Sequence, residues 1–62
     1  MSNFATGKRV RIVKGSVYWA GKTGTIDHAD IDVIDFDWWV QLDDLEPNDL
    51  LPFKESEMRV IE

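Results

Sequence analysis

Apolar side chains recur at every second position in this sequence, in runs only four to eight residues long, and that spacing belongs to strands rather than helices. In Lys8-Arg9-Val10-Arg11-Ile12-Val13-Lys14, Val10 and Ile12 fall on one face and Arg9 and Arg11 on the other. Such a run describes a half-buried strand with a cationic outer surface, ended by Gly15. Trp38-Trp39-Val40-Gln41-Leu42 repeats the pattern, turning Trp38, Val40 and Leu42 inward and Trp39 and Gln41 outward. No segment sustains a period of 3.6, so no long helix is expected.

The remaining elements are read from shorter signals. Thr23-Gly24-Thr25-Ile26-Asp27-His28 reads as a strand with Ile26 inward, and Gly24 within it marks a bend or a close approach of another backbone. Between the first two strands lies a loop carrying Val17, Tyr18 and Trp19 and closing at Gly21-Lys22. Residues 27–37 form a long hairpin loop whose later part leads into the Trp38 strand. Asp43 to Asp49 is a turn by composition, with Pro47-Asn48 at its corner. Leu50-Leu51-Pro52-Phe53 makes a short strand at a sheet edge, because Pro52 has no N–H to give to a ladder. Lys54-Glu55-Ser56-Glu57 supplies one helical turn before a last strand with Met58 and Val60 inward. Five short strands separated by turns favour a small all-β barrel as one domain over residues 1–62. Its expected interior is Val10, Ile12, Ile26, Trp38, Val40, Leu42, Phe53, Met58 and Val60.

A chain of 62 residues buries about 60% of the surface it exposes when unfolded, so the core must be small. The absence of cysteine removes disulfides, thiolate metal sites and thiol nucleophiles together. No apolar run approaches the roughly 20 residues of a membrane span, and residues 1–6 lack the pattern of a secretory leader. A cytoplasmic location, or the soluble face of a membrane complex, is therefore expected. The net charge of −5 conceals a division: residues 1–26 carry Lys8, Arg9, Arg11, Lys14 and Lys22 with no acid, whereas residues 27–62 sum to −10. Either the fold brings the two segments together and pairs them, or one of them forms a binding surface.

Gly7-x-x-Val10-Arg11-Ile12, then Tyr18-Trp19, then Gly24-Thr25-Ile26 resembles the opening of the photosystem I reaction-centre subunit IV family, and Phe53-x-x-x-Glu57-Met58 sits at a similar spacing near its end. The resemblance touches nearly the whole chain and implies an SH3-like barrel, which agrees with the five short strands and the one short 3-10 turn expected near Lys54-Glu57. It also implies a peripheral subunit that helps dock a soluble electron carrier. The chain departs from that family in lacking an asparagine-rich loop at residues 45–51 and in the aspartate and tryptophan content of its centre. Val10-x-Ile12-Val13-x-Gly15, Gly21 and Gly24-x-Ile26 are similar to the KOW motif of ribosomal and transcription proteins, which implies the same architecture.

Catalysis finds little support. His28 is the only histidine, and no serine or threonine stands in a nucleophile-elbow context. The aspartate-rich stretch invites a calcium reading, but a loop begun at Asp30 puts Ile34 where a fifth-position ligand is needed, and one begun at Asp35 puts Trp39 there. Gly21-Lys22-Thr23-Gly24 lacks the spacing of a phosphate-binding loop. No enzyme activity, cofactor or metal is expected.

Binding is the remaining class. Tyr18, Trp19 and Trp39 form one candidate surface, since aromatic side chains give large contact area at low entropic cost; Trp19 and Tyr18 would alternatively fold back to cap the barrel. Asp30, Asp32, Asp35, Asp37, Asp43 and Asp44 form a second, an acidic field suited to a protein partner with a basic surface. The expected function is thus a protein-binding module, a small accessory or docking subunit. Nucleic-acid binding through Lys8, Arg9, Arg11, Lys14 and Lys22 is an alternative that the net negative charge opposes. An acidic mimic of nucleic acid that occupies a basic groove is another.

Overall fold

Val10 and Ile12 need an apolar face larger than one strand can offer, and the chain supplies it by setting theirs between two others. In the computed structural model, which describes residues 3–15, 17–31 and 37–61, β1 (Arg9–Ile12) pairs antiparallel with both β2 (Thr23–Ala29) and β5 (Met58–Val60). Val10 faces Gly24 on one side and Val60 on the other. β2 pairs in turn with β3 (Trp38–Leu42), and β3 with β4 (Leu51–Phe53), giving the order β4-β3-β2-β1-β5. The five antiparallel strands curl into a half-barrel, the small five-stranded SH3-like, all-β architecture expected from the sequence.

Two features of β2 make the curl. Gly24 is buried, and a Cβ there would come within 2.5 Å of the Gln41 carbonyl oxygen and 2.9 Å of Leu42 Cα. The neighbouring backbone occupies the place of a side chain, as the lone glycine within an alternating run suggested. Further along, the register shifts between Ile26 and His28, so Asp27 is the extra residue of a bulge. A bulge bends its strand and increases the twist, which turns the far end of β2 away from β1.

The two edge strands are joined by a short connection. A 3-10 turn (Glu55–Glu57) runs from β4 to β5, and the Lys54 N–H donates to Glu57 Oε1 at 2.9 Å. Glu57 also gives its carbonyl to the Val13 N–H at 2.8 Å, fastening the turn to the end of β1. From the other side, Asp37 Oδ2 accepts the Glu55 N–H at 2.8 Å, and Trp38 Nε1 donates to Glu55 Oε2 at 2.8 Å. Pro52 lies on the edge strand, as its missing donor required.

Val10, Ile12, Ile26, Val40, Leu42, Phe53 and Met58 are buried together. Trp38 and Val60, also expected inside, are only half-buried, although both pack against that cluster. The reasons are local. Trp38 must keep its indole N–H within reach of Glu55, and Val60 lies on an edge strand with one neighbour. Phe4, Trp19, Leu45 and Leu51 complete the cover. The first strand is shorter than the alternation over residues 8–14 suggests, because beyond Ile12 the Val13 and Lys14 N–H groups both turn to the Glu57 carbonyl.

Candidate functional site

The loop between β1 and β2 is fixed at its base. The Ile12 N–H donates to the Lys22 carbonyl at 2.9 Å, the Gly21 N–H to the Ile12 carbonyl at 2.7 Å, and the Lys22 N–H to the Trp19 carbonyl at 2.9 Å. Trp19 folds back onto the core, so of the two outcomes open for it the structure takes the cap. Tyr18 does the opposite: it is 79% exposed, and Val17 beside it is 90% exposed. An aromatic and a branched apolar side chain thus project from a loop whose next residue is anchored. Val17 could have been found from the sequence as an apolar residue in a loop that has no alternation to place it inside.

Trp39 is on the outward side of β3 but half-covered. His28 lies over it, with ring centroids 6.1 Å apart and planes inclined by 12°. The bulge at Asp27 brings His28 opposite Trp39, and Pro52 on β4 is the register neighbour on the other side. Asp27 Oδ2 is 2.6 Å from His28 Nδ1. The row His28, Trp39, Pro52 is a second, flatter aromatic area, and its assembly depends on a bulge that alternation alone cannot locate.

The charges are partly spent within the molecule. Arg9 grips Asp43 with both terminal guanidinium nitrogens, Nη1 to Oδ1 at 2.8 Å and Nη2 to Oδ2 at 2.6 Å, while Nη1 also donates to Thr25 Oγ1 at 2.9 Å. Thr23 Oγ1 donates to Asp43 Oδ2 at 2.7 Å. The Arg9 guanidinium and then the Thr23 hydroxyl hold the Asp43 carboxyl well below the usual carboxylate range, against the opposing effect of desolvation. Lys22 Nζ pairs with Asp44 Oδ2 at 2.7 Å. Among the described residues, the basic segment is therefore matched to acids where it meets the Asp43-Asp44 turn.

These pairs redraw both candidate charge surfaces. Asp43 and Asp44 are matched by cations, and Asp37 is tied to the Glu55 N–H. Asp30 is half-buried, its N–H donating to the Asp37 carbonyl at 3.0 Å, and Asp32 and Asp35 lie outside the described residues. Glu46 and Asp49 remain exposed around the Pro47-Asn48 corner, which closes with a 2.9 Å bond from the Asp49 N–H to the Glu46 carbonyl. Of the five cations of the first segment, Arg9 and Lys22 are engaged, leaving Lys8, Arg11 and Lys14 exposed. Among the described residues no three His, Cys, Asp or Glu side chains gather closely enough to hold a metal ion. No helix of the described residues is long and apolar enough to cross a membrane. No family model, curated protein or solved structure matches the chain.

Proposed function

We propose that the chain is a non-catalytic protein-binding module, an accessory or docking subunit whose contact centre is the Val17-Tyr18 tip of the β1–β2 loop. One observation carries this reading: Val17 and Tyr18 stand 90% and 79% exposed on a loop that Trp19 ties to the core. Keeping two such side chains in water forgoes the stabilisation that burial of each would bring, roughly 1.5–3 kcal/mol for a side chain of valine size or larger. A partner that covers them recovers it, and the anchored loop keeps the ordering cost low. Tyrosine also brings a hydroxyl to the rim of such a contact, which suits interfaces better than interiors.

A peripheral docking role is also what the resemblance to the subunit IV family implies. The exposed Glu46 and Asp49, with a net charge of −5, favour a partner whose surface is basic. Against nucleic acid as the main partner stand the engaged Arg9 and Lys22, which remove two of the five cations that such a reading would use.

The test compares what the immobilised wild-type protein and its Val17→Ser/Tyr18→Ser variant retain from native lysate, scored by quantitative mass spectrometry. Both positions are exposed, so the variant is expected to melt within a few degrees of wild type and to lose its specific partner at least about tenfold, the equivalent of 1.4 kcal/mol. An unchanged set of partners would sink the assignment of this loop.

A further inference from the structure

Arg11 and Arg59 occupy directly opposed positions on β1 and β5. Both are exposed, and neither guanidinium group has a hydrogen-bond or ion-pair partner among the described residues. Like charges set opposite one another across a strand pair destabilise it, since the Cβ atoms stand only about 5 Å apart. The same sheet matches Arg9 with Asp43 and Lys22 with Asp44. Two unmatched arginines side by side are therefore a local exception in a chain that has acids to spare.

Their surroundings specify what would match them. The alternation that buries Val10, Ile12 and Met58 turns Arg11 and Arg59 to the outer face. One step along the ladder in each direction, the Val13 N–H bonds to the Glu57 carbonyl at 2.8 Å and the Ile61 N–H to the Arg9 carbonyl at 2.9 Å. Val13 and Ile61 thus continue the same outer face, and they are 44% and 39% exposed. A pair of guanidinium groups with an apolar side chain on either flank fits a carboxylate that has apolar neighbours. Guanidinium forks bind carboxylates through paired N–H donors, and two forks converging on one acid supply charge and direction together.

A polyanion fits less well. Arg11, Arg59, Val13 and Ile61 offer no aromatic ring on which a base could stack. The cross-strand row also runs from Arg59 through Arg11 and Thr23 to Asp43, whose N–H donates to the Thr23 carbonyl at 2.9 Å. A phosphodiester chain laid along that row meets a carboxylate at its end. A short acidic segment, crossing at the two arginines alone, does not. We propose that the outer face of β1 and β5, centred on Arg11 and Arg59, docks an acidic linear segment of a protein partner, its carboxylates held by the two guanidinium groups and its apolar neighbours by Val13 and Ile61. This site is separate from the Val17-Tyr18 tip and carries the opposite chemistry to the acidic turn.

Amide chemical-shift titration of the labelled protein tests it, with three probes: a hexapeptide holding two adjacent glutamates between leucines, the same peptide with glutamines in their place, and a short oligothymidylate. The glutamate peptide is expected to shift amides at residues 9–13 and 58–61. The Arg11→Gln/Arg59→Gln variant and the glutamine peptide should each weaken binding at least about tenfold, and about 0.5 M salt should abolish it. The double variant relieves a like-charge pair, so it should melt at or above the wild-type temperature. The Val17→Ser/Tyr18→Ser protein should bind the peptide as wild type does, which separates this site from the function proposed above. Shifts centred elsewhere, undiminished binding by the double variant, or tighter binding of the oligonucleotide would overturn the proposal. Concentration-dependent shifts of the same amides without any probe would also overturn it, by making a second copy of the chain the occupant.

Discussion

At Gly24 an added methyl would run into backbone, which cannot swing aside as the end of a long side chain can. Gly24→Ala is therefore expected to cost about 2 kcal/mol or more, measured by urea denaturation, from overpacking between β2 and β3. Asp43 yields a pH signature. Its folded-state carboxyl titrates below that of the unfolded chain, near 3.9 for an aspartate. The stabilisation is thus complete above that unfolded value and is lost as the pH falls toward the folded one. Wild-type stability should drop on acidification more steeply than that of Asp43→Asn, and parallel acid titrations of the two proteins, followed by circular dichroism, check it. The identity of the Arg9 partner was not legible in the sequence. Nine of the 12 acids lie in residues 27–49, and only the register of β1 against β2 and of β2 against β3 selects Asp43.

The individual elements differ in how openly the sequence declared them. β3 was legible to the residue, because Trp38, Val40 and Leu42 alternate with two side chains of different character. β4 was placed at an edge by Pro52 alone. The bulge in β2 was not legible: Asp27-His28 carries no mark that distinguishes an extra residue from a continuing strand, and the register shift arises from how β2 fits β3. The 3-10 turn was foreseen as a turn, but its use as a junction was hidden. Asp37 and Trp38 reach Glu55 across 17 or 18 residues of chain, a distance that local pattern does not encode. Trp38→Phe keeps an aromatic ring, though one smaller than the indole, and deletes the N–H to Glu55. It is expected to cost about 1–2 kcal/mol in a denaturant titration, in the range of a hydrogen bond to a charged group.

For the whole molecule the margin is narrow. At the usual 0.05–0.15 kcal/mol per residue, 62 residues give a net stability of roughly 3–9 kcal/mol. Among the described residues seven buried side chains form the centre of the core, so each is a large share of that margin. Leu42→Ala, at a fully buried position, should cost about 2–5 kcal/mol and lower the melting temperature by about 10 °C or more, as followed by circular dichroism. The Cα radius of gyration, 10.3 Å, matches the value of about 10.5 Å expected of a folded domain of this length, as a sheet curled around one core should give. By itself the sequence determined the number and order of the strands, most of their inward-facing residues, the Pro52 edge and the turns, because each depends on side-chain alternation or backbone chemistry within a few residues. Only the tertiary structure decided that Trp19 caps while Tyr18 projects, that Arg9 and Lys22 are matched, and that Arg59 meets Arg11. Those outcomes depend on which strands become neighbours, and pairing across tens of residues is settled by the packing of the whole sheet rather than by any one stretch of it.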